Sequence, residues 1–304
     1  MPDLRHKAAG LLSYLYPYTG RAYRIGVTGP PGTGKSTLIS CLARVYRGRH
    51  QRVGIIAVDP SSPSSGGALL GDRVRMRDLA GDPEVFTRSM ATRGALGGVA
   101  DDTSSAVEVL DAAGYGTILI ETVGVGQDEV AIARLAQTVL VVDAPGLGDD
   151  IQALKAGLVE IADILVVNKA DRDGTDQVVR SYQMVMEMAA ATHPLDDRVE
   201  RELWRVPVCQ TVATDGSGIS DLVSWIDAHR SYLQQSGRLV EREQQRVRAE
   251  LEMLLRQALL ARFLAGLEPG KLDGLVVRVS GRELTPYQAL QELGISLEGS
   301  DGES

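Results

Sequence analysis

Apolar residues along this chain follow two patterns, which predict strands and helices in alternation. Short runs rich in β-branched residues predict strands that are buried on both faces of a parallel sheet. Longer stretches place apolar residues at helical spacing, as Leu38 and Leu42 show within residues 35–47. The predicted strands are 24–28, 53–58, 117–120, 138–143, 164–168 and 206–212. The predicted helices are 7–17, 35–47, 99–113, 150–160, 175–190 and 219–234.

The alternation of strands and helices continues to about residue 236 and predicts an α/β fold. Connections of this kind are right-handed crossovers, so we expect a doubly wound and mostly parallel sheet. Beyond it, residues 238–264 contain no glycine or proline and repeat apolar positions at near-heptad spacing. Such a helix packs either on its own domain or on a second subunit, and the spacing favours neither. In the tail, VVRV at 276–279 predicts a short strand, and 286–293 a last helix.

The charge balance argues against two classes of partner. The 304 residues include 32 Lys and Arg against 40 Asp and Glu, which gives a net charge of −8. Nucleic acid and anionic membranes attract basic proteins, so we expect neither as a main partner. No apolar run reaches the roughly 20 residues of a membrane span, and the N-terminus lacks a signal-like apolar segment. We therefore expect a cytoplasmic protein.

The two cysteines, Cys41 and Cys209, lie far apart and have no neighbouring cysteine or histidine at metal-ligand spacing. This arrangement argues against a disulfide framework and against zinc or nickel bound by thiolates. We expect two buried thiols, one on a helix and one on a strand.

Residues 26–37, GVTGPPGTGKST, carry the P-loop pattern GxxxxGK[ST] between a predicted strand and a predicted helix. The glycines of this loop allow successive backbone N–H groups to converge on a phosphate, and the helix N-terminus adds positive potential. Lys35 would reach the β- and γ-phosphates, Ser36 would bind Mg²⁺, and Thr37 is placed for the α-phosphate. The predicted phosphate-binding residues are Gly29, Gly32, Thr33, Gly34, Lys35, Ser36 and Thr37.

The identity of the nucleotide base is indicated by a second motif. Residues 168–171, Asn-Lys-Ala-Asp, follow a predicted strand and match the NKxD motif of GTPases. Asp171 can accept hydrogen bonds from both N1–H and N2–H of guanine, a pair that adenine does not present. Lys169 can lie over the plane of the base, and Asn168 can tie this loop to the phosphate site. After the next strand, the backbone N–H of Ala213 can donate to guanine O6. The sequence therefore predicts GTP and GDP as ligands.

Three acidic residues lie at or beyond the ends of central strands, where Mg²⁺ and an attacking water need oxygen ligands. Asp59 ends one predicted strand, Asp72 lies in the loop that follows it, and Glu121 ends another. With Ser36, these residues form the predicted Mg²⁺ site. Gly124 follows Glu121 at a spacing that allows its N–H to contact the γ-phosphate. The predicted catalytic residues are Lys35, Asp72 and Glu121.

Together, these motifs resemble one family of P-loop GTPases. Residues 29–36, 58–76, 121–129 and 168–171, with the PGLGDD loop and Lys155, are similar to the MeaB/ArgK/MMAA group of the SIMIBI class. The resemblance runs from about Leu11 to the C-terminal tail. The predicted domains are an N-terminal helical extension at 1–23, a P-loop GTPase domain at 24–236, and a C-terminal helical arm and tail at 237–304.

The resemblance implies a function as well as a fold. Such proteins are G-protein chaperones of adenosylcobalamin-dependent acyl-CoA mutases, chiefly methylmalonyl-CoA mutase. They gate cofactor loading and protect or reactivate the mutase, and they form homodimers through C-terminal helical arms. By similarity, Asp59 and Asp72 belong to switch I and Glu121 belongs to switch II. A third switch, which couples the nucleotide to the mutase, is matched by residues 143–157 with Asp149 and Lys155.

Two other functions stay open at this point. A kinase or ATPase linked to lysine, arginine and ornithine transport would pass the γ-phosphoryl group to a protein, and Asp171 disfavours its use of ATP. A nickel-insertion GTPase would need metal sites rich in His or Cys, which four scattered histidines and two separated cysteines do not supply. No arginine finger can be assigned from the sequence, so we expect GTP hydrolysis to be slow alone and faster with a partner.

Overall fold

The structure, a computed structural model, describes residues 2–60, 79, 81–92, 98–122, 134–146, 159–192 and 204–295. The chain forms two compact units, Met1–Arg248 and Ala249–Ser304, and the division between them falls within one long helix. The division into domains expected from the sequence, with its boundary at 236/237, stays a prediction. Among the described helices, none combines the length and the apolar character that a membrane crossing needs.

A parallel sheet forms the centre of the first unit. Its described strands are β1 (Tyr23–Thr28), β2 (Val53–Pro60), β3 (Val85–Thr92), β4 (Thr117–Thr122), β5 (Thr138–Asp143), β6 (Ile164–Asn168) and β7 (Val208–Thr211). They lie in the order β3-β2-β4-β1-β5-β6-β7, and each neighbouring pair is parallel. The chain fills one side of β1 with β2 to β4 and the other side with β5 to β7. The carboxyl ends of β1, β4 and β5 therefore meet at the switch point where such folds bind ligands.

Helices cover both faces of this sheet. The described helices are α1 (Pro2–Leu15), α2 (Lys35–Gly48), α3 (Gly98–Ala112), α4 (Thr175–Thr192), α5 (Ile219–Gln235), α6 (Arg238–Ala265), α7 (Lys271–Ser280) and α8 (Pro286–Glu292). Leu42 of α2 and Ile226 of α5 share a buried cluster with Val27 of β1. Leu110 of α3 belongs to another cluster with Ile120 of β4. The α/β fold with a doubly wound parallel sheet is confirmed.

Strand β3 was not predicted, because its sequence lacks a continuous apolar run. It lies at the edge of the sheet and has one neighbour, β2. Its residues Thr87 and Arg88 are exposed, so the strand has neither the buried character nor the regular alternation that identifies strands in sequence.

The predicted strand at 276–279 is wrong, since VVRV lies within helix α7. Leu275 of α7 and Ala289 of α8 are both buried, and the two helices pack against each other. The β-branched residues have no described neighbouring strand in this unit, so helix packing overrides their strand propensity.

Several strand and helix ends also differ from the predicted ones. β2 continues to Pro60 and β4 to Thr122, so Asp59 and Glu121 lie inside strands rather than just beyond them. β7 spans only Val208–Thr211 of the predicted 206–212. Within the predicted helix at 150–160, residues 150–158 lie outside the described part of the chain.

Charged side chains hold the start of α6 on the first unit. Arg242 donates to both carboxylate oxygens of Asp163, at 2.9 and 2.7 Å. Glu243 of the same helix turn pairs with Arg24 at the start of β1. Burial opposes ionisation of Asp163, but the hydrogen bonds from Arg242 and the nearby ring of His229 outweigh it and lower the pKa of this carboxyl. The N-terminal part of α6 is therefore anchored at the amino-terminal ends of the strands, opposite the switch point at their carboxyl ends.

Candidate nucleotide-binding site

The phosphate loop follows β1 at the switch point and approaches two neighbouring strands closely. Gly29 has φ +134°, and a Cβ there would lie 2.0 Å from the carbonyl oxygen of Val142 in β5. Gly34 has φ +92°, and a Cβ there would lie 2.5 Å from Asn168 Nδ2 at the end of β6. Only glycine fits both the backbone angle and the space at these positions, so the sequence pattern has a direct steric cause.

The remaining polar groups of the loop turn inward. Lys35 is buried, and its ammonium group donates to the carbonyl of Gly29 at 2.8 Å and to that of Pro30 at 2.9 Å. Thr33 Oγ1 donates to the same Pro30 carbonyl at 3.0 Å. Helix α2 begins after Gly34, which offers no side-chain cap, so the positive end of the helix remains available to an anion. A lysine and an uncapped helix N-terminus at a glycine-rich loop suit a phosphate.

Ser36 and Glu121 meet beside this loop. The Ser36 hydroxyl donates to Glu121 Oε1 at 2.7 Å and thereby joins the first turn of α2 to the end of β4. Both side chains are buried. A hydroxyl and a carboxylate side by side provide the hard oxygen ligands that Mg²⁺ prefers, so these two residues fit the predicted metal site. Asp59 lies near the end of β2, and its side chain is outside the described part of the structure.

Two predicted switch segments follow the described ends of central strands. β4 ends at Thr122, whose hydroxyl donates to that of Thr28 at the end of β1 at 2.9 Å. β5 ends at Asp143, where the predicted third switch begins. The predicted residues that lie outside the described part of the chain are Asp72, Gly124, Asp149 and Lys155.

Asn168 links three segments of the site. Its Nδ2 donates to the carbonyl of Thr33 in the phosphate loop at 2.8 Å. Its Oδ1 accepts from Thr211 Oγ1 and from the backbone N–H of Ala213, each at 3.1 Å. The side chain is almost fully buried, so these bonds satisfy it where water has little access. The structure thus brings the phosphate loop and the two predicted base loops together.

The other residues of the NKAD motif extend from the end of β6. Lys169 has φ +57°, and its ammonium group donates to the carbonyl of Gly32 at 2.6 Å. Asp171 is exposed on the same loop, and Thr37 is exposed on the first turn of α2. Lys169 therefore spans from the base loop to the phosphate loop, and the Asp171 carboxylate is accessible to a ligand.

The structure gives Ala213 two protein partners. Its N–H, predicted to donate to guanine O6, donates to Asn168 Oδ1, and its carbonyl accepts from Cys41 Sγ at 3.1 Å. The role of Ala213 in binding the base stays a prediction.

Two partners of the predicted site residues were missed from sequence. The hydroxyl of Tyr182 on α4 donates to Asp143 Oδ2 at 2.8 Å, while Asp143 Oδ1 accepts from the N–H of Ala144. Burial, followed by the Asp143 charge, raises the pKa of Tyr182, so this hydroxyl stays a donor at neutral pH. A tyrosine 39 residues away gives no sequence signal for this contact. Thr211 could have been found, because it is a polar residue at the carboxyl end of a strand.

The fold and this site define a P-loop nucleoside triphosphatase with the base loop of a GTPase. The family described as methylmalonyl-CoA mutase-associated GTPase MeaB matches residues 1–268, and the chain belongs to this family. Membership makes the chain a GTPase and confirms the resemblance seen in the sequence.

Similar proteins extend this result. The chain is 47% identical over 284 residues to a putative GTPase of Pyrococcus abyssi, which covers 93% of the chain and 86% of the relative. It is 36% identical over 241 residues to the mitochondrial methylmalonic aciduria type A homolog of Mus musculus, covering 79% of the chain and 57% of that protein. The crystal structure of a LAO/AO transport system kinase is similar with a TM-score of 0.67 and 28% identity, covering 95% of the chain and 87% of that structure.

Proposed function

We propose that this protein is a GTP-driven chaperone of an adenosylcobalamin-dependent acyl-CoA mutase, and specifically of methylmalonyl-CoA mutase. In this role it gates cofactor loading and protects the mutase. The observation that carries the proposal is the match of residues 1–268 to a family described as mutase-associated. The name of the Mus musculus relative, which refers to methylmalonic aciduria, points to the same metabolism.

The nucleotide would bind across the loops that Asn168 joins. The phosphates would contact the loop from Gly29 to Ser36 and the positive end of α2. Lys35 would exchange its bonds to loop carbonyls for contacts to the β- and γ-phosphates. The exposed carboxylate of Asp171 would accept from N1–H and N2–H of guanine and so exclude ATP.

The proposed Mg²⁺ ligands are Ser36, Asp59, Asp72 and Glu121, of which Ser36 and Glu121 are adjacent in the structure. Mg²⁺ held there would neutralise charge on the phosphates. Lys35 would stabilise the charge that develops on the γ-phosphate, and Glu121 and Asp72 would orient the attacking water. We expect this set to support slow hydrolysis alone and faster hydrolysis with the mutase bound.

The proposed switches connect the site to the partner. Gly124 would contact the γ-phosphate, and the segment with Asp149 and Lys155 would contact the mutase. Both segments directly follow strands that end at the switch point, β4 and β5. A change at the γ-phosphate can therefore reach them through a few residues of backbone. We also propose that the protein is cytoplasmic, which rests on the sequence expectation alone.

A second candidate function follows from the solved structure named a LAO/AO transport system kinase. A kinase linked to transport would transfer the γ-phosphoryl group to a protein acceptor, whereas a chaperone releases phosphate to water. Incubation with γ-labelled GTP or ATP distinguishes the two, because only the kinase leaves label on protein.

The proposal is tested by measuring binding of the purified protein to adenosylcobalamin-dependent methylmalonyl-CoA mutase by sedimentation velocity. We expect the affinities with GDP and with a non-hydrolysable GTP analogue to differ by at least about fivefold, which is the lower range of allosteric coupling. The variant Lys35→Ala, which would not hold the γ-phosphate, should show no difference. No binding in either nucleotide state, or equal binding in both, would contradict the proposal.

A further inference from the structure

Cys41 lies on α2, outside every motif that the sequence identified. Its side chain is only 8% exposed. Its Sγ donates to the backbone carbonyl of Ala213 at 3.1 Å. This bond joins the helix that begins at the phosphate loop to the loop that is predicted to contact the base.

The loop at Ala213 is held from two sides. Its N–H donates to Asn168 Oδ1, and Asn168 Nδ2 donates to the carbonyl of Thr33. On the other side, Cys41 holds the carbonyl of Ala213. That carbonyl and the N–H of Thr214 belong to one peptide group, and the described backbone contains no cis peptide. Because a trans peptide is planar, the bond from Cys41 also fixes the direction of the Thr214 N–H.

The Cys41 thiol is suited to be a donor. Burial raises the pKa of this thiol above its ordinary value, and nearby Arg44 opposes the rise only in part. The sulfur therefore carries its proton at neutral pH. The hydroxyl of Ser40, the preceding residue, instead donates to the carbonyl of Ser36 within the helix. The position of Cys41 on α2 thus aims its donor outward at the loop.

We propose that Cys41 is a positioning residue for base recognition: it orients the 213–214 peptide so that the N–H of this peptide, that of Thr214, meets guanine O6. The inference rests on the proposed role of the Ala213 loop in binding the base. Cys41 does not touch the nucleotide itself. Its loss would leave the Ala213 carbonyl without its donor and allow the peptide to turn.

The effect would be modest and specific to one atom of the base. A single neutral hydrogen bond is worth a factor of about three to ten in an equilibrium constant. Nucleotides with an oxygen at position 6, such as GDP and inosine diphosphate, should lose this factor together. In 6-thio-GDP a sulfur, which is a weak acceptor, replaces that oxygen, so its affinity should change little.

The test compares full-length variants by competitive titration with GDP, inosine diphosphate and 6-thio-GDP. Cys41→Val removes the donor at similar volume, and Cys41→Thr restores a hydroxyl on the same shape. Cys209→Val removes the other buried thiol, on β7, and serves as the matched control. If Cys41→Val does not fold, Cys41→Ala takes its place.

We expect Cys41→Val to lower the preference for GDP over 6-thio-GDP by at least about threefold. The preference for GDP over inosine diphosphate should stay unchanged. Cys41→Thr and Cys209→Val should both keep the wild-type values. An unchanged preference in Cys41→Val, an equal loss for all three nucleotides, or a failure of Cys41→Thr to restore binding would overturn the inference. If the wild-type protein itself binds GDP and 6-thio-GDP equally, the proposed base contact of the Ala213 loop fails, and the role of Cys41 fails with it.

Discussion

Two lysines of the site are bonded to the backbone of the phosphate loop. Lys35 contacts the carbonyls of Gly29 and Pro30, and Lys169 contacts that of Gly32. Each cation therefore already lies at the loop in the absence of a ligand. The fold already restricts both side chains, so placing them beside a nucleotide costs less side-chain entropy than ordering two solvated lysines would, although in the proposed complex Lys35 gives up its two backbone bonds.

Asp171 has a different position, since its carboxylate is exposed and accessible to a base. We predict that Asp171→Asn lowers the affinity for GDP by a factor of about 100 or more. Two hydrogen bonds to a charged acceptor, each worth about 1.5–3 kcal/mol, would be lost or weakened. The variant should gain affinity for xanthosine diphosphate, because the new amide can donate to its oxygen at position 2.

Fluorescence competition with GDP and xanthosine diphosphate checks this prediction. Asp173→Asn, which changes an exposed neighbouring carboxylate, is the control and should bind like the wild type. Unchanged GDP affinity in Asp171→Asn would contradict the proposed base site.

The sequence predicted the motif residues of the site but not all of the contacts between them and the helices. The residues of the phosphate loop and of NKAD were predicted because each motif is local and steric or chemical needs fix its spacing. The contacts from Tyr182 to Asp143 and from Cys41 to Ala213 were not, because they join residues 39 and 172 positions apart. Such pairs depend on how the helices pack on the sheet, which a single sequence does not reveal.

Among the helices and strands, the sequence predicted best those strands that are buried at every residue. The central strands, such as β5 and β6, are buried at every residue and read as apolar runs. Edge strand β3 is half-exposed, and α7 contains β-branched residues that favour a strand locally. In both cases neighbours in space decide the structure, and local propensity does not.

Asp163, just before β6, connects α5, α6 and the sheet. Besides Arg242, it accepts from the N–H of Val139 and lies 3.3 Å from His229 Nε2. We predict that Asp163→Asn lowers the free energy of unfolding by about 2–3 kcal/mol at pH 7, because Arg242 loses its charged partner. This is less than for a fully buried pair, since the Arg242 side chain is 36% exposed.

The same substitution should change the pH dependence of stability. The pKa of Asp163 is lowered in the folded state, so its contribution is complete above the ordinary Asp pKa of about 4 and is lost as the pH falls from there through the lower, folded-state pKa. Urea unfolding should therefore show the full difference between variant and wild type at pH 7 and a smaller one below pH 4. Asp82→Asn, in the surface pair with Arg47, is the control and should change stability much less. Equal stability of wild type and Asp163→Asn at pH 7 would show that the pair adds nothing.

For the whole molecule, the second unit has large apolar side chains that are exposed to solvent in the single chain. Leu251, Leu255 and Leu259 recur at four-residue spacing on α6, and each is about 60% exposed. Exposed apolar stripes of this kind are typical of protein interfaces. They favour the homodimer through the C-terminal arm that the resemblance in the sequence implies, and we propose that the protein forms it.

We predict that the wild-type protein sediments with the mass of two chains and that Leu255→Glu combined with Leu259→Glu sediments as a monomer. Burying two carboxylates in an apolar interface costs so much free energy that the dimer would no longer form. GTP binding should persist, since neither residue belongs to the nucleotide-binding unit. Arg256→Glu, on the same helix, is the control and should remain dimeric. A monomeric wild type, or a dimeric double variant, would contradict the proposed interface.

The proposed GTP switch serves a cobalamin-dependent mutase, so the mutase should change the rate of GTP hydrolysis. This rate is measured for the purified protein with and without adenosylcobalamin-dependent methylmalonyl-CoA mutase, with Lys35→Ala as the inactive control. We predict slow turnover alone and a rate at least about tenfold higher with the mutase, because the partner completes the stabilisation of the transition state. Measurable basal turnover that the mutase leaves unchanged would contradict this function and indicate another partner.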